Sequence, residues 1–465
     1  DSALSFKALT LNNKVLTLDG QAGSFALTDE LKLNNANGRI VQDSTSLKLN
    51  GGLSVDSGGV LRLTKSLDTG TAKIKLNGGL LAIDSDITIN SSIEHLAAST
   101  IEIKETKTLN YEGMTLKLGA SVLSIKGGGS FTNTNPIELD NAASQLKLSG
   151  ISANYVRTSA DSLGLIVETS SSVNEMVVGH LIPVSISANQ NLSGIIEVFS
   201  NGNLQLNNSG TLAANVTMKG DAFGNETAGG KLEAKESLTF SGTLLQSADH
   251  NGIELIIASG KTLSYSGSKF GIGNHEFKLS GGGTLANTND LELDNAGSKL
   301  TLSKSTKISR LSTSGSGASR VLTITDSEVD FTGNIVENLL LSGNLSVTSD
   351  TAIALGNLTA DAVLTLSSNM DVSSAELTLS DSAELSLGTA NITAYVTNPV
   401  IVDSTQKLKN GGGSFDFAGG ITLKSGSELV GQGQEISGNI SLSGGKLSIA
   451  QDTIFADNLA ISAGS

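Results

Sequence analysis

Hydrophobic residues alternate with polar ones along most of the chain, usually over only three residues at a time. Leu9-Thr10-Leu11 and Leu31-Lys32-Leu33 lie near the start, and the same pattern recurs at Ile440-Ser441-Leu442. Alternation with a period of two is typical of a β-strand that buries one of its two faces. Asn, Asp, Ser and Gly separate these segments and supply the turns. The pattern therefore predicts an all-β protein of many short strands, without helical periodicity beyond about two turns.

Several phrases of the sequence recur at a distance. The segment 129–142 returns at 283–296, an offset of 154 (283 minus 129), with a shorter copy at 23–36 and a fainter one from Gly413. The seven residues from Leu47 return from Ile74, an offset of 27 (74 minus 47). Such spacing is typical of solenoid repeats, and a coil of about 26 residues fits it, while about 22 fits nearly as well.

Short strands and a repeat together predict a right-handed parallel β-helix that runs from 1 to 465 as a single continuous domain. At roughly 22–26 residues per coil, about 18–21 coils are expected. Residues 151–203 are less regular, because longer apolar runs such as Ile195-Ile196 replace the triplets. We expect wider strands or larger insertions in this section.

The composition agrees with a solenoid and argues against two other classes. With aromatics at 3% and no tryptophan, a row of immunoglobulin-like sandwiches would lack its buried aromatic residues. With 38% hydrophobic residues, the chain is too apolar for a disordered segment. Glycine is abundant at 53 residues and proline rare at 3, as expected where corners need positive φ and strands need every backbone N–H.

The net charge and the lack of cysteine exclude several classes of partner and of chemistry. The sequence contains 30 basic and 45 acidic residues, a net charge of −15, which disfavours nucleic acids and anionic membranes because both are polyanions. No apolar run reaches the roughly 18 residues of a membrane span, so no membrane insertion is expected. The absence of cysteine excludes disulfides and thiolate chemistry. The chain starts at Asp1 without a signal peptide, which indicates a processed protein or a fragment.

No residue pattern predicts a catalytic, cofactor-binding or metal-binding site, so we predict a protein that is not an enzyme and needs no cofactor. Histidines that stand apart from one another are expected at the solvated surface: His95, His180, His250 and His275. Clustered carboxylates could serve a β-helix that cleaves polysaccharides. The polar positions that stand out occur singly along the repeat: Glu102, Asp140, Arg157, Glu292, Asp294 and Arg310.

Glycine triplets and recurring asparagines are predicted to form corners. The triplets at 127–129, 281–283 and 411–413 lack the aspartates of calcium-binding repeats, so close passage of backbones explains them better. Equivalent positions of the repeated phrase carry asparagine: Asn35, Asn141 and Asn295. An ice-binding threonine array would need Thr-x-Thr on every coil of one face, whereas Thr323-Ile324-Thr325 stands alone.

The Leu-x-Leu triplets, the Asn-Gly-Gly corners and the recurring Gly-Ser-Phe phrase resemble the repetitive passenger regions of large secreted bacterial surface proteins. These include autotransporter passengers and filamentous-haemagglutinin-like adhesins. The resemblance covers essentially the whole chain, but no family-specific motif supports it and it implies no site residues.

This resemblance implies an extracellular or cell-surface β-helix that acts as an adhesin, stalk or filament subunit. Its implied partners are other copies of the chain, joined head to tail, or glycans of a host or cell surface. The alternative function is a β-helix that binds or degrades polysaccharides.

Overall fold

The structure is a computed structural model in which parallel β-strands stack as a β-solenoid. It describes residues 29–34, 49–67, 69–200, 202–207, 209–219, 230–246, 252–303, 306–313, 420–426, 428–431 and 435–461, and elsewhere only the backbone of the strands given below. Within this part of the chain every regular element is a strand, which confirms the predicted all-β solenoid. Right-handedness stays a prediction.

The chain divides into two compact units. The first contains Asp1–Phe223, Gly230–Leu232 and Ser241–Thr243, and the second contains Gly224–Gly229, Glu233–Phe240 and Leu244–Ser465. Strand Lys231–Ala234 has residues in both. The expected single domain from 1 to 465 stays a prediction.

The first unit is built from three parallel sheets. Its first sheet contains Leu4–Phe6, Ser24–Leu27, Ser46–Leu49, Leu67–Asp68, Ile87–Ile89, Thr108–Tyr111, Leu116–Lys117, Ser130–Asn133, Ile137–Leu139, Ser152–Thr158, Ser171–Val178, Asn191–Val198, Thr211–Leu212 and Asn215–Met218. The second contains Thr10–Asn12, Leu31–Asn34, Leu53–Asp56, Ile74–Asn77 and Ile93–Ala97. The third contains Val15–Leu18, Arg39–Gln42, Val60–Leu63, Leu80–Ile83, Ser99–Ile103, Val122–Lys126, Gln145–Ser149, Gly164–Thr169, Leu181–Ile186 and Asn203–Leu206.

The second unit has the same kind of parallel pairing. One sheet contains Leu238–Phe240, Leu244–Gln246, Thr262–Tyr265, Phe270–Gly271, Thr284–Asn287, Leu291–Leu293, Lys307–Thr313, Val336–Leu341, Ile353–Ala360, Glu376–Leu379, Lys407–Asn410, Glu428–Gln432 and Lys446–Gln451. Another contains Ile253–Ile257, Glu276–Ser280, Lys299–Ser303, Val321–Thr325, Leu345–Ser349, Val363–Leu366, Glu384–Leu387, Phe415–Asp416, Glu435–Ser437 and Ile454–Phe455. A shorter ladder joins Met370–Asp371, Val400–Val402, Ile421–Lys424, Ile440–Ser443 and Leu459–Ile461.

The core is a set of apolar rows that run across the strands. Leu81 pairs with Leu61 on one side and Ile101 on the other, and all three side chains are completely buried. The two outer residues of each Leu-x-Leu triplet point inward, so each coil adds apolar side chains on top of those of its neighbour. This stacking is why the triplets recur with so little variation in the sequence.

The paired positions also give the length of a coil. In the first sheet the offset between partners is 22 for Phe25 and Leu47 (47 minus 25), and it is 22 again for Ile89 and Tyr111 (111 minus 89). In the third sheet of the first unit it falls to 19 at one pair (165 minus 146) and rises to 24 at another (39 minus 15). These offsets agree with the shorter of the two predicted coil lengths, about 22 residues rather than about 26.

The seven residues that occur from Leu47 and again from Ile74 form two different corners. The first copy leads from the first sheet into the second, whereas the second copy leads from the second sheet into the third. Ile74 consequently pairs with Leu53, an offset of 21 (74 minus 53), and not with Leu47. The sequence offset of 27 joins corners that are not equivalent, so it is not the length of a coil.

Residues 151–203 contain longer strands, as their apolar runs predict. Ser130–Asn133 and Ile137–Leu139 both pair with the single strand Ser152–Thr158 in the next coil. The following coils keep this long form in Ser171–Val178 and Asn191–Val198. Two short strands thus merge into one.

The glycine triplets that lie within the described residues form corners, as predicted. Gly127 and Gly128 have φ values of 114° and 84°, and Gly281 and Gly282 have 103° and 80°. A Cβ atom on Gly129 would lie 2.5 Å from the Cγ2 of Ile103, so the neighbouring coil leaves no room for a side chain. The triplet at 411–413 lies outside the described residues.

We expect Thr106→Gly to raise the free energy of unfolding by about 0.5–1 kcal/mol. Thr106 has a φ of 64°, a left-handed conformation that costs a β-branched residue about 1–2 kcal/mol, and its relief exceeds the added chain entropy of glycine. The same turn in the second copy of the repeat, closed by Lys261 N–H to the carbonyl of Ala258 at 2.9 Å, has Gly260 at this place with a φ of 70°. Chemical denaturation measures the change.

The reciprocal variant Gly260→Thr is the matched control and should lose stability by a similar amount. A Cβ atom on Gly260 would meet no atom within 4 Å, so the loss would report backbone conformation alone. A lower unfolding free energy for Thr106→Gly would contradict the expectation.

Candidate binding surface

In both copies of the repeated segment, 129–142 and 283–296, the first asparagine links two coils by hydrogen bonds. Asn133 is the last residue of the short strand Ser130–Asn133 and faces Tyr155, in the long strand of the next coil. Its side-chain amide donates to the Tyr155 carbonyl at 2.8 Å, and its Oδ1 accepts the Tyr155 N–H at 3.1 Å. The amide thus replaces the peptide group that the interrupted sheet lacks there. Asn287 bonds to the backbone of Arg310 in the same way.

The second asparagine of the phrase reaches in the opposite direction. Asn135 donates from Nδ2 to the carbonyl of Gly113 at 2.9 Å, and Asn289 does so to Gly267 at 2.7 Å. The Asn-Thr-Asn segment therefore ties its own coil to both neighbouring coils. Its recurrence is explained by structure and not by a ligand.

The predicted asparagine corner is present in both copies. Asn141 Oδ1 accepts the Ala143 N–H at 2.9 Å, and the Ser144 hydroxyl accepts the Asn141 N–H at 3.0 Å while it donates to the carbonyl of Gly119. Equivalent bonds surround Asn295. Asn35 lies outside the described residues.

One carboxylate on the outer face of the first sheet is almost fully buried. Glu138 is 4% exposed and pairs in register with Lys117 in one coil and Arg157 in the other. Arg157 Nη2 donates to Glu138 Oε1 at 2.6 Å. Burial acts to raise the pKa of Glu138, but hydrogen bonds from Ser159 and Arg157 and the charges of Arg157 and Lys117 outweigh it, so the pKa is lowered. The ionised carboxylate links three coils.

The other polar residues that stood out in the sequence also have structural partners. Asp140 Oδ1 accepts the N–H of Gly119 at 2.8 Å, and Asp294 Oδ1 accepts that of Gly273 at 2.7 Å. The remaining ion pairs are Glu102 with Lys126 at 3.4 Å, Glu292 with Lys269 at 2.5 Å and Arg310 with Asp290 at 2.8 Å. Each of these residues takes part in a contact between neighbouring coils.

The prediction of a solvated surface is wrong for His95. This side chain is 7% exposed and points into the core, where it stacks on the row position held by Leu76. Its Nδ1 lies 2.9 Å from the carbonyl of Leu118. Burial lowers the pKa of His95, and backbone hydrogen bonds with Leu118 and Val122 act in the opposite direction. Sequence reasoning missed this because His95 stands where the triplet pattern calls for an apolar residue.

The other histidines are separate from one another. His180 is 46% exposed, with its Nδ1 3.9 Å from Asp161, and His275 is half-buried. His250 lies outside the described residues. Across the described ranges, no group of three or more His, Asp or Glu side chains is placed to hold a metal ion.

The interior of the second unit holds a small apolar cavity. It measures about 20 Å³ and is lined by side chains that include Phe240, Leu263, Tyr265, Phe270 and Phe277. That volume is of the order that a single water molecule needs. The cavity is therefore too small for an organic ligand.

The outer surface of the first sheet carries two adjacent rows of uncharged polar side chains. We call them the hydroxyl–amide face, which consists of Thr88, Thr108, Asn110, Ser130, Thr132, Ser152, Asn154, Ser172 and Asn174. In each strand these residues alternate with buried ones such as Phe131 and Val173. Neighbouring positions are thus about 4.8 Å apart, the spacing between paired strands.

Hydrogen bonds fix the side chains along these rows. They join Thr132 to Asn110 at 3.1 Å, Ser172 to Ser152 at 3.0 Å and Asn174 to Asn154 at 3.0 Å. A hydroxyl can make one donor and two acceptor bonds, and an amide two of each. Each of these six side chains therefore keeps capacity for a further hydrogen bond while its orientation is held by its neighbour.

Charged groups border the hydroxyl–amide face. Lys107 Nζ is 3.7 Å from Asp86, next to one row, and Glu112 accepts the side-chain N–H of Asn110 at 2.7 Å. Tyr155, half-buried, follows Asn154 in the same strand. The face thus combines neutral hydrogen-bonding groups with one bordering aromatic residue.

The corresponding surface of the second unit is interrupted. There Ser264 pairs with Ala286, and Thr284 pairs with Lys307. An alanine and a cation therefore break the rows. The repeated phrase has kept its internal hydrogen bonds in both copies, while the outward side chains differ.

Sequence reasoning missed the hydroxyl–amide face, although a signal was present. Ser or Thr, one apolar residue, then Thr or Asn occurs at 108–110, 130–132, 152–154 and 172–174. Successive triplets are offset by 22 (130 minus 108), 22 (152 minus 130) and 20 (172 minus 152), which matches the register of the paired strands. Without the register, these triplets cannot be told from the many other polar positions.

Stacked parallel coils with an apolar interior place the protein in the class of β-solenoid repeat proteins. No protein-family model, curated protein or solved structure matches it. A search of the described residues for a helix long and apolar enough to cross a bilayer found none.

Proposed function

We propose that this protein is a structural or adhesive β-solenoid, secreted or at the cell surface, that has no catalysis of its own and binds neutral glycans. The hydroxyl–amide face is the observation that supports this proposal. Sugar hydroxyls both donate and accept hydrogen bonds, as do the serine, threonine and asparagine side chains of the face. No charged partner is needed for such a contact.

The arrangement suits a polymer better than a single sugar. Equivalent groups recur along the rows from Thr108 to Ser172, so a chain of sugars could make the same kind of contact several times. Several weak contacts along one molecule add up by raising the effective concentration of each next contact. The net charge of −15 favours neutral over acidic polysaccharides as ligands.

Other copies of the chain are the second proposed partner. In the second unit, strands between 446 and 461 carry exposed apolar side chains: Ile449, Ile454, Leu459 and Ile461. Exposed apolar side chains of this kind are suited to packing against another protein surface. Sedimentation over a range of protein concentrations would reveal such association.

The glycan proposal is tested with Ser152→Lys, which places a charge in the middle of the hydroxyl–amide face. We expect binding to neutral polysaccharides to weaken by about tenfold or more, because hydrogen bonds are lost and a hydrated ammonium must be displaced. Binding is measured on a glycan array and by co-sedimentation with insoluble neutral polysaccharides. Thr239→Lys, at the exposed position of a strand in the second unit, is the matched control and should bind as the natural chain does.

Three results would count against this proposal. They are absence of binding to any neutral glycan, equal loss for both lysine variants, and binding to ice crystals without glycan binding. Release of soluble oligosaccharides from the polymer would instead support the alternative, a β-solenoid that degrades polysaccharides.

A further inference from the structure

The segment Leu-Asn-Gly-Gly-Leu occurs twice, and its two copies differ in how their asparagines are held. Asn50-Gly51 and Asn77-Gly78 have the same neighbours in sequence. In the unfolded protein they would therefore behave alike. Any difference in their reactivity must come from the different corners that they form.

At the first corner, the groups that could react with each other are free. Asn50 lies in an exposed turn that is closed by the Gly52 N–H donating to the Leu49 carbonyl at 2.8 Å. Within the described part of the chain, neither the Asn50 side chain nor the Gly51 N–H has a hydrogen-bond partner. Glycine also leaves its backbone nitrogen unshielded, since it has no Cβ.

At the second corner, both groups are bound. Asn77 is half-buried at the end of a strand, and its Nδ2 donates to Asp56 Oδ1 at 2.9 Å. The Gly78 N–H donates to the Ser99 hydroxyl at 2.9 Å. Both hydrogen bonds must break before the Gly78 nitrogen can approach the Asn77 side chain.

We infer that Asn50 is a site of spontaneous deamidation in the folded protein and that Asn77 is protected from it. The Gly51 nitrogen loses its proton and attacks Cγ of Asn50, the bond between Cγ and Nδ2 breaks, and ammonia leaves. The resulting succinimide is opened by water at one of its two carbonyls. The product is aspartate or isoaspartate, and the net change is one amide and one water converted to one carboxylic acid and ammonia.

The isoaspartate product does not fit this corner. It lengthens the main chain by one carbon next to Gly51, where a Cβ atom would already lie 2.1 Å from the backbone of Asp29 in the neighbouring coil. Deamidation at Asn50 therefore marks aged molecules and loosens the link between the first and second sheets.

The experiment follows both sites in one sample of the full-length protein held in mildly alkaline buffer. Trypsin cleaves after Lys48 and Arg62 to give a peptide whose single asparagine is Asn50, and after Lys75 and Lys104 to give one that contains Asn77 and Asn90, which its fragment ions distinguish. Mass spectrometry of the two peptides then measures conversion of amide to acid over time. In the folded protein we expect Asn50 to react about tenfold faster than Asn77 or more, because two hydrogen bonds restrain Asn77.

Two further samples test whether the folded structure causes the difference between the two rates. In denaturant the two rates should become equal, since the local sequences are identical. The double variant Asp56→Ala, Ser99→Ala should raise the rate at Asn77 in the folded protein towards that of Asn50. Equal rates at the two sites in the folded natural protein, or a faster reaction at Asn77, would overturn the inference.

Discussion

Replacing Phe131 with alanine is expected to lower the free energy of unfolding by about 3–5 kcal/mol, the usual cost of removing a buried phenylalanine. Phe131 is completely buried and lies in the apolar row between Leu109 and Ala153. Its ring centroid is 6.1 Å from that of Tyr111. The neighbouring coils are held by their own hydrogen bonds and cannot collapse into the space. Denaturant unfolding followed by circular dichroism gives the value.

The repeat supplies the control for this prediction. Leu285 holds the corresponding row position in the second copy, between Leu263 and Ile308. Phe131→Leu should therefore cost clearly less than Phe131→Ala. Equal losses for the two variants, or a loss below about 1 kcal/mol for alanine, would show that the row is not packed to the usual interior density.

Replacing Gly194 with alanine is expected to cost about 2–5 kcal/mol, because backbone strain and steric overlap add together. Gly194 has a φ of 120°, and an added Cβ would lie 1.7 Å from the carbonyl oxygen of Val173 in the paired strand. The pairing shifts just beyond this point, between Val173 and Met176, so the two strands approach unusually closely. The same unfolding experiment measures the loss.

Gly119→Ala separates these two contributions. Gly119 has a φ of 58°, and an added Cβ would meet no atom within 4 Å. Only the left-handed conformation then penalises alanine, by about 1–2 kcal/mol. If both variants lowered the free energy of unfolding equally, the close approach at Gly194 would make no contribution of its own.

The two copies of the repeated phrase show which constraints come from the fold and which do not. Asn133 and Asn287 make the same backbone bonds, because in both units two short strands merge into one in the next coil. The outward rows differ, since Thr132 in the first copy corresponds to Ala286 in the second. The internal hydrogen bonds are thus fixed by the architecture, whereas the outward side chains differ between the two copies.

The candidate surface could be predicted only in part from the sequence. Single polar residues such as Asp140 and Arg157 were visible, but their hydrogen bonds to other coils show structural roles. The serines, threonines and asparagines of the hydroxyl–amide face form recurring triplets in the sequence, but these cannot be told from other polar positions until it is known which strand lies above which. His95 likewise broke the apolar pattern without revealing that it stays inside the core.

The sequence alone determined the kind of structure. A period of two in the triplets specifies strands with one buried face, and low aromatic content with abundant glycine specifies narrow coils with tight corners. It also located the corners at Gly127–Gly129 and at Asn141. These are local properties, in which each residue acts through its own backbone and its nearest neighbours.

Only the tertiary structure decided the register. The offset between paired positions in the first unit varies from 19 (165 minus 146) to 24 (39 minus 15), and identical segments at Asn50 and Asn77 form different corners. Any Leu-x-Leu triplet can bury its two apolar residues against any other triplet. Hydrophobicity alone therefore does not specify which strands pair. The choice is made by the length of each corner and by hydrogen bonds between coils, which exist only once the chain has wound upon itself.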